Sequence, residues 1–189
     1  HCSVRRQRQM CIRDRIEVDI TRGNLNPLPI AVSPLSIDEK SKESFKKILN
    51  KDNIGLEISS VVEKNLKTSG LFNPLNKDAF LQAPDIANLK PRFEDWNLIK
   101  AQALITGKVN FDNDKLRVEF RLWDVLAGKE MMALAFTTVP SNWRRVGHII
   151  TDKVYERLTG EKGYFDTRII YVAEEGPKTR RIKKLAIMD

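Results

Sequence analysis

Residues 103–139, ALITGKVNFDNDKLRVEFRLWDVLAGKEMMALAFTTV, decide the fold. From Leu116 to Leu122, apolar residues alternate with charged ones, which is typical of an antiparallel strand with one face buried and one face in water. The residues before this strand (112–114, Asp-Asn-Asp) and after it (127–129, Ala-Gly-Lys) have the composition of tight turns. The stretch therefore predicts three successive antiparallel strands, the first over 103–111 and the last ending near Val139.

Apolar residues at helical spacing predict a helix on either side of these strands. The first helix is carried by Ile54, Ile58, Val61, Val62 and Leu66, and the second by Val146, Ile149, Ile150, Val154 and Leu158. We expect Asn53 and Ser141 to cap their starts, and Gly70 and Gly160 to end them. Short apolar segments at 29–35 and 72–75 predict further strands. The fold class is α/β (α+β), a mixed or antiparallel sheet packed with helices.

The segments between these elements are less regular. Residues 36–53 are polar and lysine-rich, with a weak helical stripe at Phe45, Ile48 and Leu49, so we expect a surface excursion of about two helical turns. A loop with two prolines then leads to a brief helix over 93–99.

The C-terminal tail, residues 168–189, predicts two strands around a polar turn. A two-stranded hairpin is marginal by itself and needs further strands to cover its apolar face. We therefore expect residues 16–165 to form one domain and residues 166–189 to open a second, all-β domain that is truncated here.

Residues 1–15 differ from the rest of the chain. They contain five arginines, one aspartate and both cysteines, Cys2 and Cys11, and account for half of the net charge of +8. They show no periodicity and no capping signal, and RQMCIRDR resembles translated sequencing-adapter sequence. We interpret them as an unstructured leader of artefactual origin; the alternative is a natural basic arm that binds anionic surfaces weakly.

The remaining 174 residues have an ordinary globular composition, with 28 basic and 24 acidic side chains. A basic nucleic-acid-binding α/β domain is the alternative function that the charge suggests. Three tryptophans could stack on bases, namely Trp96, Trp123 and Trp143, but their apolar neighbours favour core positions. Arg117, Glu119 and Arg121 form a row of mixed sign, which does not favour nucleic acid. No apolar run approaches the roughly 18–20 residues of a membrane-spanning helix.

Candidate catalytic and ligand-binding residues are few. His148 could act as a general base, but its place on a helix without a cysteine partner favours a structural role. Asp112, Asn113 and Asp114 lack the glycine and glutamate of a calcium loop, so a hairpin turn is preferred. Residues 160–163 (Gly-Glu-Lys-Gly) lack P-loop spacing, and a body without cysteine excludes a cysteine-based zinc site. We expect no enzyme activity and no cofactor.

Six motifs occur in an order that identifies a family. They are IEVDITRG (16–23), PIAVSPL (29–35), NLKTSGLF (65–72), Trp96 followed by ALITGKV (103–109), LRVEFRLWDVLAGKE (116–130) and VYERLTGEKGYFDTRIIYV (154–172). Together they resemble the TolB family, periplasmic proteins of the Tol–Pal envelope system, over all 174 residues after the leader. The resemblance implies an N-terminal α/β domain over 16–165, followed by a six-bladed β-propeller whose first strands would be 166–189. Three features depart from the family pattern: the leader stands where a signal peptide is expected, nearly all of the propeller is missing, and the lysine-rich stretch 36–53 is long.

The resemblance also implies a function. It is a non-enzymatic periplasmic role, through protein–protein binding, in outer-membrane invagination during cell division, envelope integrity and bacteriocin import. The family's TolA-binding epitope corresponds to Ile16, Glu17, Val18, Asp19, Ile20, Thr21, Arg22 and Gly23. A short alternating strand of this kind can add to the edge of a partner's sheet, although IEVDI could equally be an edge strand of its own domain. Pal binds the propeller in this family, so we expect its site to be missing from this chain, and we expect no nucleic-acid partner.

Overall fold

The computed structural model of the protein describes residues 26–177 and 179–188. The strands are β1 (Leu28–Val32), β2 (Ser36–Ile37), β3 (Phe72–Pro74), β4 (Ala103–Asp112), β5 (Lys115–Asp124), β6 (Lys129–Thr138), β7 (Ile169–Glu175) and β8 (Ile182–Met188). The α-helices are α1 (Glu39–Leu49), α2 (Ile54–Thr68), α3 (Pro84–Leu89), α4 (Phe93–Leu98) and α5 (Trp143–Thr159). The expected α+β class is confirmed.

Six strands form one mixed sheet in the order β3-β1-β4-β5-β6, with β2 pairing with β4 beyond the end of β1. β1 runs parallel to β3 and β4, whereas β4, β5 and β6 are antiparallel neighbours. The three strands predicted from residues 103–139 are thus the antiparallel half of the sheet.

The turn between β4 and β5 is a two-residue hairpin turn. Asp112 pairs with Lys115, which leaves Asn113 and Asp114 to reverse the chain with φ of 48° and 59°. Two successive positive φ angles are the signature of a type I′ turn, which asparagine and aspartate tolerate. The hairpin interpretation of these residues is confirmed.

The sheet is covered by helices on both faces. Alternate residues of β1 and β4, among them Ile30 and Ile105, face the larger core formed with α2 and α5. Their neighbours Ala31 and Leu104 face a smaller core that contains Trp96 of α4. This alternation is the period of two that strand geometry imposes on side chains.

The lysine-rich segment is more ordered than its sequence suggests. α1 has 11 residues, and Phe45 is completely buried, with its ring 5.3 Å from that of Phe111. The Ser41 hydroxyl accepts a hydrogen bond from the Phe111 backbone N–H at 2.8 Å. The expected helix is present and most of its residues are exposed, but it has about three turns rather than two, and Phe45 and Leu49 pack it against the larger core.

The helix ends test the capping predictions. Asn53 Oδ1 accepts from the Leu56 N–H at 3.0 Å and caps α2 as expected. The helix α5 instead starts at Trp143, after a 3₁₀ turn over Pro140–Asn142, and Ser141 does not cap it. That prediction was wrong, since Pro140 starts the 3₁₀ turn and the N-cap position moves one residue on, to Asn142. Gly160 ends α5 with φ of 80°, as expected.

The last two strands, β7 and β8, form a separate antiparallel pair from Ile169↔Met188 to Glu175↔Ile182. Apolar side chains project from both faces of this pair, and most of them are exposed. In the described part of the chain, no helix has the length and apolar character needed to cross a membrane.

Candidate interaction surfaces

The predicted TolA epitope, residues 16–23, lies outside the described residues. The described chain enters the sheet just after it, where the Leu28 N–H donates to the Leu71 carbonyl at 2.9 Å. The epitope assignment therefore remains a prediction.

His148 lies where α2 and α5 pack against each other. Its Nδ1 is 2.8 Å from the side-chain nitrogen of Asn65, which also donates to the Thr151 hydroxyl at 3.2 Å. The Thr151 hydroxyl donates in turn to the Gly147 carbonyl. A Cβ at Gly147 would lie 2.8 Å from Val61 Cγ1, so the glycine permits the close approach of the two helices. His148 thus belongs to a network that joins two helices, as the structural interpretation predicts.

Beside this network a cleft of about 300 Å³ opens between α2, α5 and the β7–β8 pair. Its apolar lining includes Val61, Phe165 and Ile169, and its rim carries Lys64 and Arg144. Neither cation forms an ion pair with another described residue. Among these lining residues, the sequence identified only His148 as a candidate functional residue, because the others come from segments far apart in the chain.

The connection between α5 and β7 is held by polar contacts that the sequence did not reveal. The Asp152 carboxylate accepts from the backbone N–H of Phe165 at 2.7 Å and from that of Asp166 at 3.1 Å. Arg145 Nε and Nη2 donate to the Asp166 carboxylate at 3.0 and 3.1 Å. Phe165 and Asp166 lie within the most specific motif of the chain, 154–172, and Asp152 lies two residues before it.

The solvated row on the sheet has mixed sign, as predicted. Glu119 contacts both Arg117, at 2.9 Å, and Lys108, at 3.4 Å. The hydrogen bond from Arg117 is the main cause that lowers the pKa of Glu119. Arg121 is 3.4 Å from Glu130. Since each of these cations has a carboxylate beside it, the row does not form a basic stripe for a phosphate backbone.

The tryptophans serve the core. Trp96 is 1% exposed, and Trp123 Nε1 donates to the Thr106 hydroxyl at 2.9 Å. Trp143 is partly buried against the larger core, with Lys51 Nζ 4.9 Å above its ring. This agrees with the interpretation of the tryptophans as core residues.

The β7–β8 pair exposes a group of apolar side chains. The exposed fractions are 63% for Ile170, 57% for Val172, 76% for Leu185 and 62% for Ile187. Contiguous exposed apolar side chains of this kind mark a surface that packs against another element.

As for metal chemistry, residues 26–177 and 179–188 contain no group of three histidine, cysteine or acidic residues placed to hold an ion.

The fold and these surfaces define a class: an α+β domain with helices on both faces of a mixed sheet, continuing into a β-hairpin with uncovered apolar faces. Within that class, residues 16–131 match the family model of the TolB amino-terminal domain, and the chain belongs to that family.

Two known proteins show how far the similarity extends. The Tol-Pal system protein TolB of Pelagibacter ubique (strain HTCC1062) is 86% identical over 174 residues, which are 92% of this chain and 39% of that protein. The crystal structure of TolB from Acinetobacter baumannii aligns with a TM-score of 0.67 at 23% identity, over 93% of this chain and 39% of that one. The second similarity concerns the fold alone. In both comparisons the chain spans about two-fifths of the relative's length.

Proposed function

We propose that this chain acts in the Tol–Pal system as a non-enzymatic periplasmic component that binds other proteins. The observation that carries the proposal is the 86% identity to a Tol-Pal system protein TolB. The roles proposed for the whole protein are outer-membrane invagination during cell division, envelope integrity and bacteriocin import. The contacts of His148 support a non-enzymatic role, since its Nδ1 is engaged by Asn65 between two packed helices.

Residues 16–23 are proposed to bind the periplasmic domain of TolA by strand addition. The family match begins at Ile16 and so includes them. In an extended conformation Ile16, Val18 and Ile20 project from one face, where they can fill apolar positions of the partner sheet. The backbone N–H and C=O groups would supply the hydrogen bonds.

Pal is proposed to bind a propeller that follows the N-terminal domain in the full-length protein. The relative with 86% identity is more than twice as long as the matched region. Apolar side chains on both faces of β7 and β8 support the proposal that residues 166–189 are the first propeller strands, because such strands need cover on both faces.

Calorimetry against the cognate TolA periplasmic domain tests the epitope. A chain beginning at Ile16 should bind, and one beginning at Asn24 should not. Val18→Pro should weaken binding sharply, because proline removes a ladder donor and fixes φ. Val18→Thr is the matched control for the backbone, since it keeps the N–H and the β-branch. Arg117→Ala, on the solvated face of the sheet, should bind as the parent does. Equal affinity for the chains beginning at Ile16 and Asn24 would falsify the assignment.

A further inference from the structure

We propose that residues 160–168 form a fixed joint rather than a flexible linker, and that Asp152 is the positioning residue that sets the direction in which the chain leaves α5. This joint is a conformational device: it makes the β7–β8 pair move with α5.

The first observation is the geometry around Asp152. Its Oδ1 accepts from the Phe165 N–H at 2.7 Å and its Oδ2 from the Asp166 N–H at 3.1 Å. Each carboxylate oxygen thus holds one of two consecutive backbone N–H groups. Charge-assisted bonds are stronger than neutral ones, and two of them to neighbouring peptide groups fix the orientation of the backbone as well as its position.

The second observation is the close approach at Gly163. A Cβ there would lie 2.4 Å from Asp152 Oδ1 and 2.5 Å from Asp152 Cα. No side chain fits in that space, so the loop reaches the helix only because residue 163 is glycine. A flexible linker has no need of such a contact.

The third observation is a second polar contact farther up the helix. Arg145 precedes Asp152 by seven residues, which places both on the same face of α5. The guanidinium donates to the Asp166 carboxylate from two nitrogens, a planar arrangement that restricts orientation. The hydrogen bond that Arg145 donates to Asp166 is the main cause that raises the pKa of Arg145.

Aromatic packing completes the joint. The ring of Tyr155, on α5, is 5.6 Å from that of Tyr164 and 5.8 Å from that of Phe165, both edge-on. Tyr155 also contacts Phe72 of β3 at 6.2 Å. The joint is therefore tied to the sheet as well as to the helix, and a rotation of the hairpin would have to move or break these contacts.

Distances between paired spin labels test the joint in the full 189-residue chain, with Cys2 and Cys11 replaced by serine. One label pair, at Lys90→Cys and Glu175→Cys, spans the joint, since Glu175 lies in β7 beyond residue 168. A second pair, at Lys90→Cys and Lys67→Cys, lies within the main domain and serves as the internal control. The variants are Asp152→Ala, Asp152→Asn and Gly163→Ala, and Glu156→Gln is the matched control on an exposed carboxylate of the same helix.

The parent and Glu156→Gln should give one narrow distance across the joint. Asp152→Ala and Gly163→Ala should broaden that distribution about twofold or more, because the charge-assisted bonds are lost or pushed apart. The Lys90–Lys67 distance should stay unchanged in both. Asp152→Asn keeps one acceptor oxygen and should give an intermediate width.

Two results would overturn the proposal: a broad distribution in the parent, or an unchanged distribution in both Asp152→Ala and Gly163→Ala. If those two variants also disturb the Lys90–Lys67 distance, the width of the distribution across the joint in Asp152→Asn decides between the joint and a flexible linker. An intermediate width then supports the joint, and a width equal to that of the parent contradicts it.

Discussion

The β4–β5 pair and the β7–β8 pair have the same local architecture and opposite environments. Both are antiparallel with unbroken registers, of ten and seven residue pairs. In β5 the alternate residues from Leu116 to Leu122 are at most 1% exposed, whereas in β8 Leu185 is 76% exposed. The two pairs differ in whether a further layer packs on them. Helices α2 and α5 pack on the β4–β5 pair, whereas no described helix packs on the β7–β8 pair.

The comparison separates what sets the register of a strand pair from what stabilises it. Alternation and turn chemistry are local, and in the β4–β5 pair they specify the register. Burial depends on another layer, and most of the free energy comes from burial. We therefore expect the same substitution to have very different effects in the two regions.

The largest effect is expected from leucine truncation. Leu122→Ala should lower the free energy of unfolding by about 2–5 kcal/mol, because Leu122 is fully buried. Leu185→Ala should change it by no more than about 0.5 kcal/mol, since the side chain already faces solvent. Urea unfolding of both variants measures the difference. Similar losses at the two positions would show that the hairpin is covered in solution.

A smaller effect is expected at the helix starts of the covered region. Asn53→Ala should cost about 1 kcal/mol, because its side chain caps α2. Ser141→Ala should cost almost nothing, because its hydroxyl makes no capping bond to α5. Thermal unfolding of the two variants under identical conditions provides the check. A larger loss for Ser141→Ala would mean that α5 starts earlier than the structure shows.

The smallest effect concerns Glu119, on the solvated face of the covered sheet. The hydrogen bond from Arg117 lowers its pKa below the ordinary 4.5. A carboxyl whose pKa is lowered by folding stabilises the protein above its unfolded pKa, and this contribution is lost as the pH falls through the folded pKa. The parent should therefore lose a few tenths of a kcal/mol more than Glu119→Gln between about pH 5 and about pH 3.

Unfolding curves across that pH range measure this effect. Glu174→Gln, in the hairpin, is the control for removing one negative charge. If the parent and Glu119→Gln lost the same stability on acidification, the contact with Arg117 would contribute nothing to folding.

Most of the fold could be predicted because its periodicity is local. The alternation of Leu116 to Leu122 and the spacing of Ile54 to Leu66 each identify one element. Helix α3 lies in the segment predicted to be a loop, because Ile86 and Leu89 of its six residues face solvent and leave no apolar periodicity. Periodicity fails where an element buries one or two side chains, and α1 illustrates the same limit.

The interaction surfaces were harder to predict, because their contacts join distant residues. Asn65 and His148 are 83 positions apart, and Asp152 reaches backbone groups 13 and 14 residues on. Neither asparagine nor aspartate on a helix indicates such a partner in the sequence. Residues 16–23 were assigned from the family resemblance.

Hydrogen exchange in the full chain tests the central claim most directly. The claim is that the main sheet is stable by itself and that the β7–β8 hairpin after it is not. Backbone amides of 116–123 should exchange slowly, with protection close to that of global unfolding. Amides of 169–175 and 182–188 should exchange orders of magnitude faster, because their pairing opens without unfolding the main sheet. Equal protection in the two regions would contradict the division of the chain into a covered domain and an uncovered hairpin.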